Sequence, residues 1–497
     1  MESREARVEF AKGRLTVEQL LDVVERQEQM IKRLLGEVAR LRERLARYEP
    51  EVLREGSSGT SNAPESTPAV SSKKYSVEAE EKRRRRRKRK KKSPGRRPTE
   101  LKFADAQRLQ EVYPRRVPRA ECRVVRERAV WRLEEGRAVL VGYRIYAGPD
   151  GCEPKIPGVT PRCEYGLEIL VVLAFLVYVI GVSLDKACAV LSFFCQLPLS
   201  KSQADALLRQ LARHWEREYD TLCALIARAA VVYMDETGWK IGREGCSLWT
   251  FAARLQRVFL FGCRKDAQTL DSMLPPEVFQ GVAVSDDAAV YRGRFARAQK
   301  CWAHLLRKAI KLTLLYPRNK TYQRFLDRLL ALYYDAKRAA ADKRLGEEGR
   351  KQRVAELEGR LCGLCNPLWH GTTPTMKPHE RDFANLVNEL LERTLDEELF
   401  TFVLLPHVDP TNNLAERLQR SPAQDRKAGR TSKTAAGARR RSILVSVLES
   451  LRVNLKQFTL ANVLAEVTGW MKDGLSLFTK QWHTLIQQDS LAALDTG

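Results

Sequence analysis

This 497-residue chain lacks several things that would place it elsewhere. No apolar run is long enough to cross a bilayer. The longest, Ile169 to Val182, has fourteen residues and suits a buried helix, since a span needs about twenty. The first residues, Met1-Glu2-Ser3-Arg4-Glu5, are charged and carry no apolar core, which argues against a secretory signal. The eleven cysteines are an odd number, scattered from Cys122 to Cys365 with hardly any close pairing. Reduced thiols in the cytosol are therefore expected. Acid is also short: 62 Asp and Glu face 87 Lys and Arg, a net charge of +25. The expectation is a soluble, cytoplasmic protein with a polyanionic partner and no membrane association.

What is present divides by composition. Residues 13–49 carry a heptad, with Val17, Val24, Ile31, Val38 and Leu45 on one position and Leu20, Gln27, Leu34, Leu41 and Tyr48 on the other. β-branched residues at a and mostly Leu at d favour a parallel two-stranded coiled coil, hence a homodimer. A helix docked on its own protein is the alternative. Residues 50–100 have linker composition followed by Lys82 to Lys92, eleven consecutive basic residues. Such a basic linker is expected to be disordered and to attract DNA through counterion release. Residues 101–163 alternate like a small β-rich module, and 164–228 are expected to be helical. In the latter, Ser200 is placed to cap a helix starting near Ser202 and running through His214. Helix, short turn, helix fits a DNA-binding helix-turn-helix or plain packing equally.

Beyond residue 229 the pattern is mixed. Strands are expected at Ala230 to Met234, Ser247 to Ala253, Arg257 to Cys263 and Val282 to Ser285. Residues 305–400 are expected to be helical. So are 401–455, apart from a basic loop between Arg420 and Gly437, and the tail 456–497. The stretch Arg417 to Arg441 holds nine basic residues against one acid, Asp425.

Three acids stand out. Asp235 and Asp286 each close a short apolar strand candidate, and Glu416 sits in a helix-like segment crowded with arginines. If the two strands are adjacent and parallel, both aspartates reach one sheet edge, and Glu416 arrives from a helix beside it. Hard oxygens of this kind hold Mg²⁺ or Mn²⁺ for phosphoryl chemistry. Glu236 and Asp287 are adjacent competitors, more in keeping with turn or supporting roles. Arg417, Arg420, Arg426, Lys427 and Arg430 are candidates to hold DNA phosphates. Asn412 and Asn413 are candidates to cap the Glu416 helix. Trp239 and Trp302 fit a core better than base stacking.

The wording of these segments resembles the insertion-sequence-66 family of bacterial DDE-type transposases. The resemblance rests on Met234-Asp235-Glu236-Thr237-Gly238-Trp239, Ser285-Asp286 with Tyr291, and Cys301-Trp302-Ala303-His304 with Arg307-Lys308. It rests also on Asn412-Asn413-Leu414-Ala415-Glu416-Arg417 with Arg420, on Arg426-Lys427 and Gly429-Arg430-Thr431, and on Gly437-Ala438-Arg439-Arg440-Arg441-Ser442. It implies an α/β fold: an RNase H-like catalytic core, 229–304 and 401–455, interrupted by a helical insertion at 305–400. It implies Asp235, Asp286 and Glu416 as a metal-binding catalytic triad, with His304 as a neighbour. The implied activity is Mg²⁺-dependent cleavage at the ends of an insertion sequence, then attack of the freed 3′-hydroxyl on target DNA. Element ends and target are the implied double-stranded DNA partners, in a nucleoid-associated dimer or larger end complex, with accessory transposition proteins as a further partner class. A repurposed copy that binds element ends without catalysis is the rival reading.

One departure stands. Many family members carry a paired-cysteine zinc module ahead of the helical region, whereas Cys122, Cys152 and Cys163 stand singly here, so no zinc is expected there. The close pair Cys362 and Cys365, with His370 and His379 downstream, has spacing a metal would tolerate.

Overall fold

A computed structural model describes residues 97–495, apart from Arg116 and 370–375, with side chains described as far as Gln488. The heptad of 13–49, nearly all of the basic linker and His370 lie outside these residues. Everything described belongs to one unit of the chain, Gly95–Gly497.

The first part is a short helix α1 (Thr99–Ala104) and a three-stranded sheet of β1 (Arg108–Val112), β2 (Arg123–Glu134) and β3 (Arg137–Ala147). β3 lies in the middle, parallel to β1 and antiparallel to β2. Next come α2 (Leu167–Ala174), α3 (Leu184–Cys195) and α4 (Lys201–Ala227). The fourteen-residue apolar run does not form one α-helix. It passes into a π turn at Phe175–Val179 and stops at Gly181, whose φ of +78° suits glycine. Ser200 does cap α4, in a reciprocal capping box with Gln203. α4 runs thirteen residues past the expected end at His214, because Trp215, Tyr219, Leu222, Leu225 and Ile226 continue one buried stripe.

A five-stranded sheet follows, in the order β6-β5-β4-β7-β8. Its strands are β4 (Val231–Ile241), β5 (Glu244–Ala252), β6 (Arg257–Cys263), β7 (Val282–Ser285) and β8 (Ala298–Lys300), with α5 (Ala267–Met273) after β6. β4, β5 and β6 form an antiparallel meander, while β4, β7 and β8 are parallel. The helices α6 (Trp302–Leu315), α7 (Lys320–Ala341), α8 (Glu347–Cys365), α9 (Pro378–Leu395) and α10 (Thr401–Leu404) come next. Last are α11 (Asn413–Lys427), α12 (Ala435–Asn454), α13 (Leu460–Asp473) and α14 (Leu477–Asp495).

Side-chain alternation along the strands feeds two cores. Val232, Met234 and Ala283 join the cluster with α2, α4, α12 and α13. Tyr233, Val282 and Val284 join the cluster with α6 to α9. The edge strand β6 does not face water. Ser442, Ser446 and Ser450, four apart on α12, accept from the backbone N–H of Phe261, Phe259 and Arg257, each at 2.9 Å. A helix thus closes a sheet edge that would otherwise template association.

Three expectations change. β4 does not end at Met234–Asp235: the β5 pairing carries it to Ile241, so Asp235 is mid-strand although the β7 pairing stops at Tyr233. The expected loop after Arg420 is helical as far as Lys427, even across Pro422, because Ala415, Gln419, Pro422 and Asp425 form one buried face. And β8 is an additional strand, three buried residues without a β-branched side chain to mark it in the sequence. Among the described residues, no helix is long and apolar enough to cross a membrane.

Candidate active site at the β4–β7 edge

Tyr233 pairs with Val284 across the parallel β4–β7 ladder. Asp235 lies two residues further on in β4 and continues the face of Tyr233, while Asp286 follows the last residue of β7. That face carries α6 to α9. Ala288 N–H donates to Asp286 Oδ1 at 3.0 Å, and Glu236 N–H to Asp235 Oδ1 at 3.0 Å. Burial pushes the Asp235 carboxyl up to about 7, with repulsion from Glu236, Asp286 and Glu416 adding to it. Asp235 therefore feels both other acids of the sequence triad.

Glu416 sits in the first turn of α11. Arg307, from α6, donates to its two oxygens at 3.2 and 3.1 Å. His304 Nδ1 lies 3.6 Å from Glu416 Oε1, so His304 belongs to this site. The Cys301 thiol, a His304 ring nitrogen and a Glu416 oxygen lie within 4.8 Å of one another. Burial pushes the Cys301 thiol up, and its sulfur accepts from Asn412 N–H at 3.2 Å.

Asn412 is the N-cap of α11 but makes no side-chain cap. Its amide is fully buried and donates instead to Met234 O at 2.7 Å. The expected capping is thus replaced by a tie between α11 and β4. Asn413 is exposed.

The competing acids face other partners. Glu236, opposite in phase to Asp235, accepts from Tyr291 Oη and pairs with Lys265. Asp287 pairs with Arg393 at 3.1 Å and Arg292 at 2.7 Å. The link to Arg393 was not legible in the sequence, 106 positions apart. Trp239 and Trp302 are buried and donate to Ser432 Oγ and Leu399 O.

The five basic candidates divide. Arg417, Arg420 and Lys427 are exposed. Arg426 donates to Thr237 Oγ1 at 3.0 Å and Gly238 O at 2.6 Å, and Arg430 pairs with Asp425 at 3.0 Å. Arg439, Arg440 and Arg441 are turned to protein acids too: Glu216 and Asp220, Asp205, and Asp425 respectively. Arg441 lies over the rings of Trp239 and Phe261.

All eleven cysteines are free. Cys365 is buried, which pushes its thiol up to about 12. His379 Nδ1 is bonded to the Tyr322 hydroxyl at 2.8 Å.

The family model described as Transposase IS66 family matches residues 162–440, more than half of the chain. The match takes in the five-stranded sheet, all three acids and the helices between them. Comparison with curated proteins finds no match.

Proposed function

The chain belongs to the IS66 family of transposases, and from that premise we propose that it is a DDE-type enzyme that cuts the ends of an insertion sequence and joins them to target DNA. One observation carries the reading: Asp235 and Asp286 each lie two residues past the last parallel β4–β7 pair, Tyr233 with Val284, and Asp235 is raised to about 7 by burial and by neighbouring acids that include Asp286 and Glu416. The strand order, an antiparallel meander continued by two parallel strands, supports an RNase H-like core.

The donor set suits a hard divalent cation. It offers carboxylate oxygens, and their crowding leaves negative charge that a cation offsets. Asp235, Asp286 and Glu416 would hold Mg²⁺ or Mn²⁺, which when bound polarises the scissile phosphate and activates the attacking oxygen. The chain's own residues do the positioning. The β4–β7 ladder ends at Tyr233 and Val284, two residues before each aspartate, and so delivers both to one end of the sheet. Asn412 fastens the start of α11 to β4, and Arg307 holds Glu416 from the α6 side with His304 beside it. Arg417, Arg420 and Lys427 lie on the same helix as Glu416 with free charge for phosphates. We further propose a DNA-bound homodimer or larger end complex through 13–49.

The test is strand cleavage on a labelled duplex carrying one element end, with Mg²⁺. Wild type should nick at the element boundary. Glu416→Gln should bind the duplex and leave it intact. Nicking by Glu416→Gln at the wild-type rate would refute the assignment.

A further inference from the structure

Asp286 lies one residue beyond β7, so its own backbone is outside the strand ladder. Asp287, the next residue, is anchored instead. Its Oδ1 lies 3.1 Å from Arg393 Nε of α9, and its Oδ2 accepts from Arg292 at 2.7 Å. Arg393 is 5% exposed. It also reaches Glu398 at 3.1 Å and pairs with Asp396. Glu398 in turn lies 3.8 Å from the ammonium of Lys300, which ends β8 and is 1% exposed. Lys300 N–H donates to Glu398 O at 2.8 Å.

Three buried ionic side chains, Arg393, Glu398 and Lys300, and the partly buried Asp287 therefore form one chain of contacts. Taking each out of water costs several kcal/mol, and apolar residues of equal volume commonly give equal stability. Stability alone is thus a poor account of the arrangement. Its geometry offers another: one end is fastened to the residue after Asp286, and the other to the helices between β8 and α11.

We propose that Arg393 is a positioning residue for Asp286, so that docking of α9 against the sheet sets the metal-holding geometry. The inference rests on the functional reading above. Outer groups of this kind change metal affinity or activity by about 10–100-fold when removed.

The experiment compares wild type, Arg393→Met, Arg393→Lys and Asp287→Asn as full-length proteins. Mn²⁺ binding is read by the electron paramagnetic resonance of the free ion, and cleavage of an element-end duplex is read against Mg²⁺ concentration. Circular dichroism reports folding. Arg393→Met should bind Mn²⁺ roughly tenfold more weakly and need correspondingly more Mg²⁺, with unchanged duplex affinity. Arg393→Lys, which keeps the charge, should recover part of that loss. Should Arg393→Met not fold, Asp287→Asn breaks the same pair from the other side while Arg393 keeps Glu398 and Asp396, and a shifted metal dependence is expected there too. Wild-type Mn²⁺ affinity and metal dependence in folded Arg393→Met or in Asp287→Asn would overturn the proposal. So would an equal loss in Arg393→Met and Arg393→Lys without any shift in metal dependence. A wild type that binds no Mn²⁺ and cleaves nothing would instead refute the functional reading, and this inference with it.

Discussion

The buried amide of Asn412 donates to the carbonyl of Met234 at 2.7 Å, joining the N-cap of the Glu416 helix to the strand that carries Asp235. Two acids 181 positions apart in the chain owe their proximity to that bond and to the packing of Ala415 beside it. Asn412→Ala should destabilise the fold by about 1–3 kcal/mol, because Met234 O loses its side-chain donor in a dry site. Cleavage should fall more than stability explains, since Glu416 is displaced. Asn413→Ala, on the exposed side, should leave both unchanged. Chemical denaturation and a cleavage assay on the same preparations check this, and equal behaviour of the two variants would contradict it.

Asp235 predicts a pH signature in the metal-free protein. Its carboxyl is raised in the folded state to about 7 from the ordinary 3.8. Between those values the folded state binds the proton that the unfolded state has released. Stability from this group is therefore present at low pH, declines as pH rises through that window, and is lost above about 7. Asp235→Asn should remove the decline and stabilise the metal-free protein at pH 8 by on the order of 4 kcal/mol. Denaturation in chelator at pH 5 and pH 8 is the measurement. A variant less stable than wild type at pH 8 would refute the cause assigned to the shift.

The serines of α12 give a purely structural prediction. Ser446 Oγ accepts from Phe259 N–H in a fully buried site. Ser446→Ala should leave that N–H unpaired and cost about 1–3 kcal/mol. Ser446→Cys, a similar shape with a weaker acceptor, should cost less. Denaturant midpoints at constant slope decide it.

Salt dependence separates the two kinds of arginine. Arg417→Gln, Arg420→Gln and Lys427→Gln should each reduce the slope of log affinity against log salt by about one, with unchanged stability. Arg441→Gln should act the other way round. It would leave Asp425, which is 2% exposed, with Arg430 as its remaining partner, and cost about 1–3 kcal/mol. Fluorescence anisotropy over a salt series, beside thermal melts, distinguishes the two outcomes.

The sequence carried some of this plainly and hid the rest for physical reasons. β6 and β7 have the expected bounds, because their apolar runs are set off by turn or polar residues. β4 was cut short because Asp235-Glu236-Thr237-Gly238 breaks the apolar run, while the pairing that extends the strand comes from β5. Arg439-Arg440-Arg441 counts as basic surface in one dimension. Their acids, Asp205, Glu216, Asp220 and Asp425, come from α4 and α11, so much of the local charge is neutralised on folding. The Asn412 pair invited a capping assignment by residue type, whereas only the fold shows Met234 O in reach. The motifs single out the three acids, and in the structure Asp286 and Glu416 both act on the Asp235 carboxyl. The Arg393 network was not legible in the sequence, because its members span 112 positions and no local pattern marks them.

Transposition in cells reads the proposed activity and the role of Asp286 together. A donor plasmid carries a marker between the DNA ends that flank this gene, and the protein is supplied as wild type or as Asp286→Asn with Mg²⁺ present. Marker insertion is expected with wild type and none with Asp286→Asn, although the variant still shifts element-end DNA in a gel. Equal insertion frequencies for the two proteins would contradict that role.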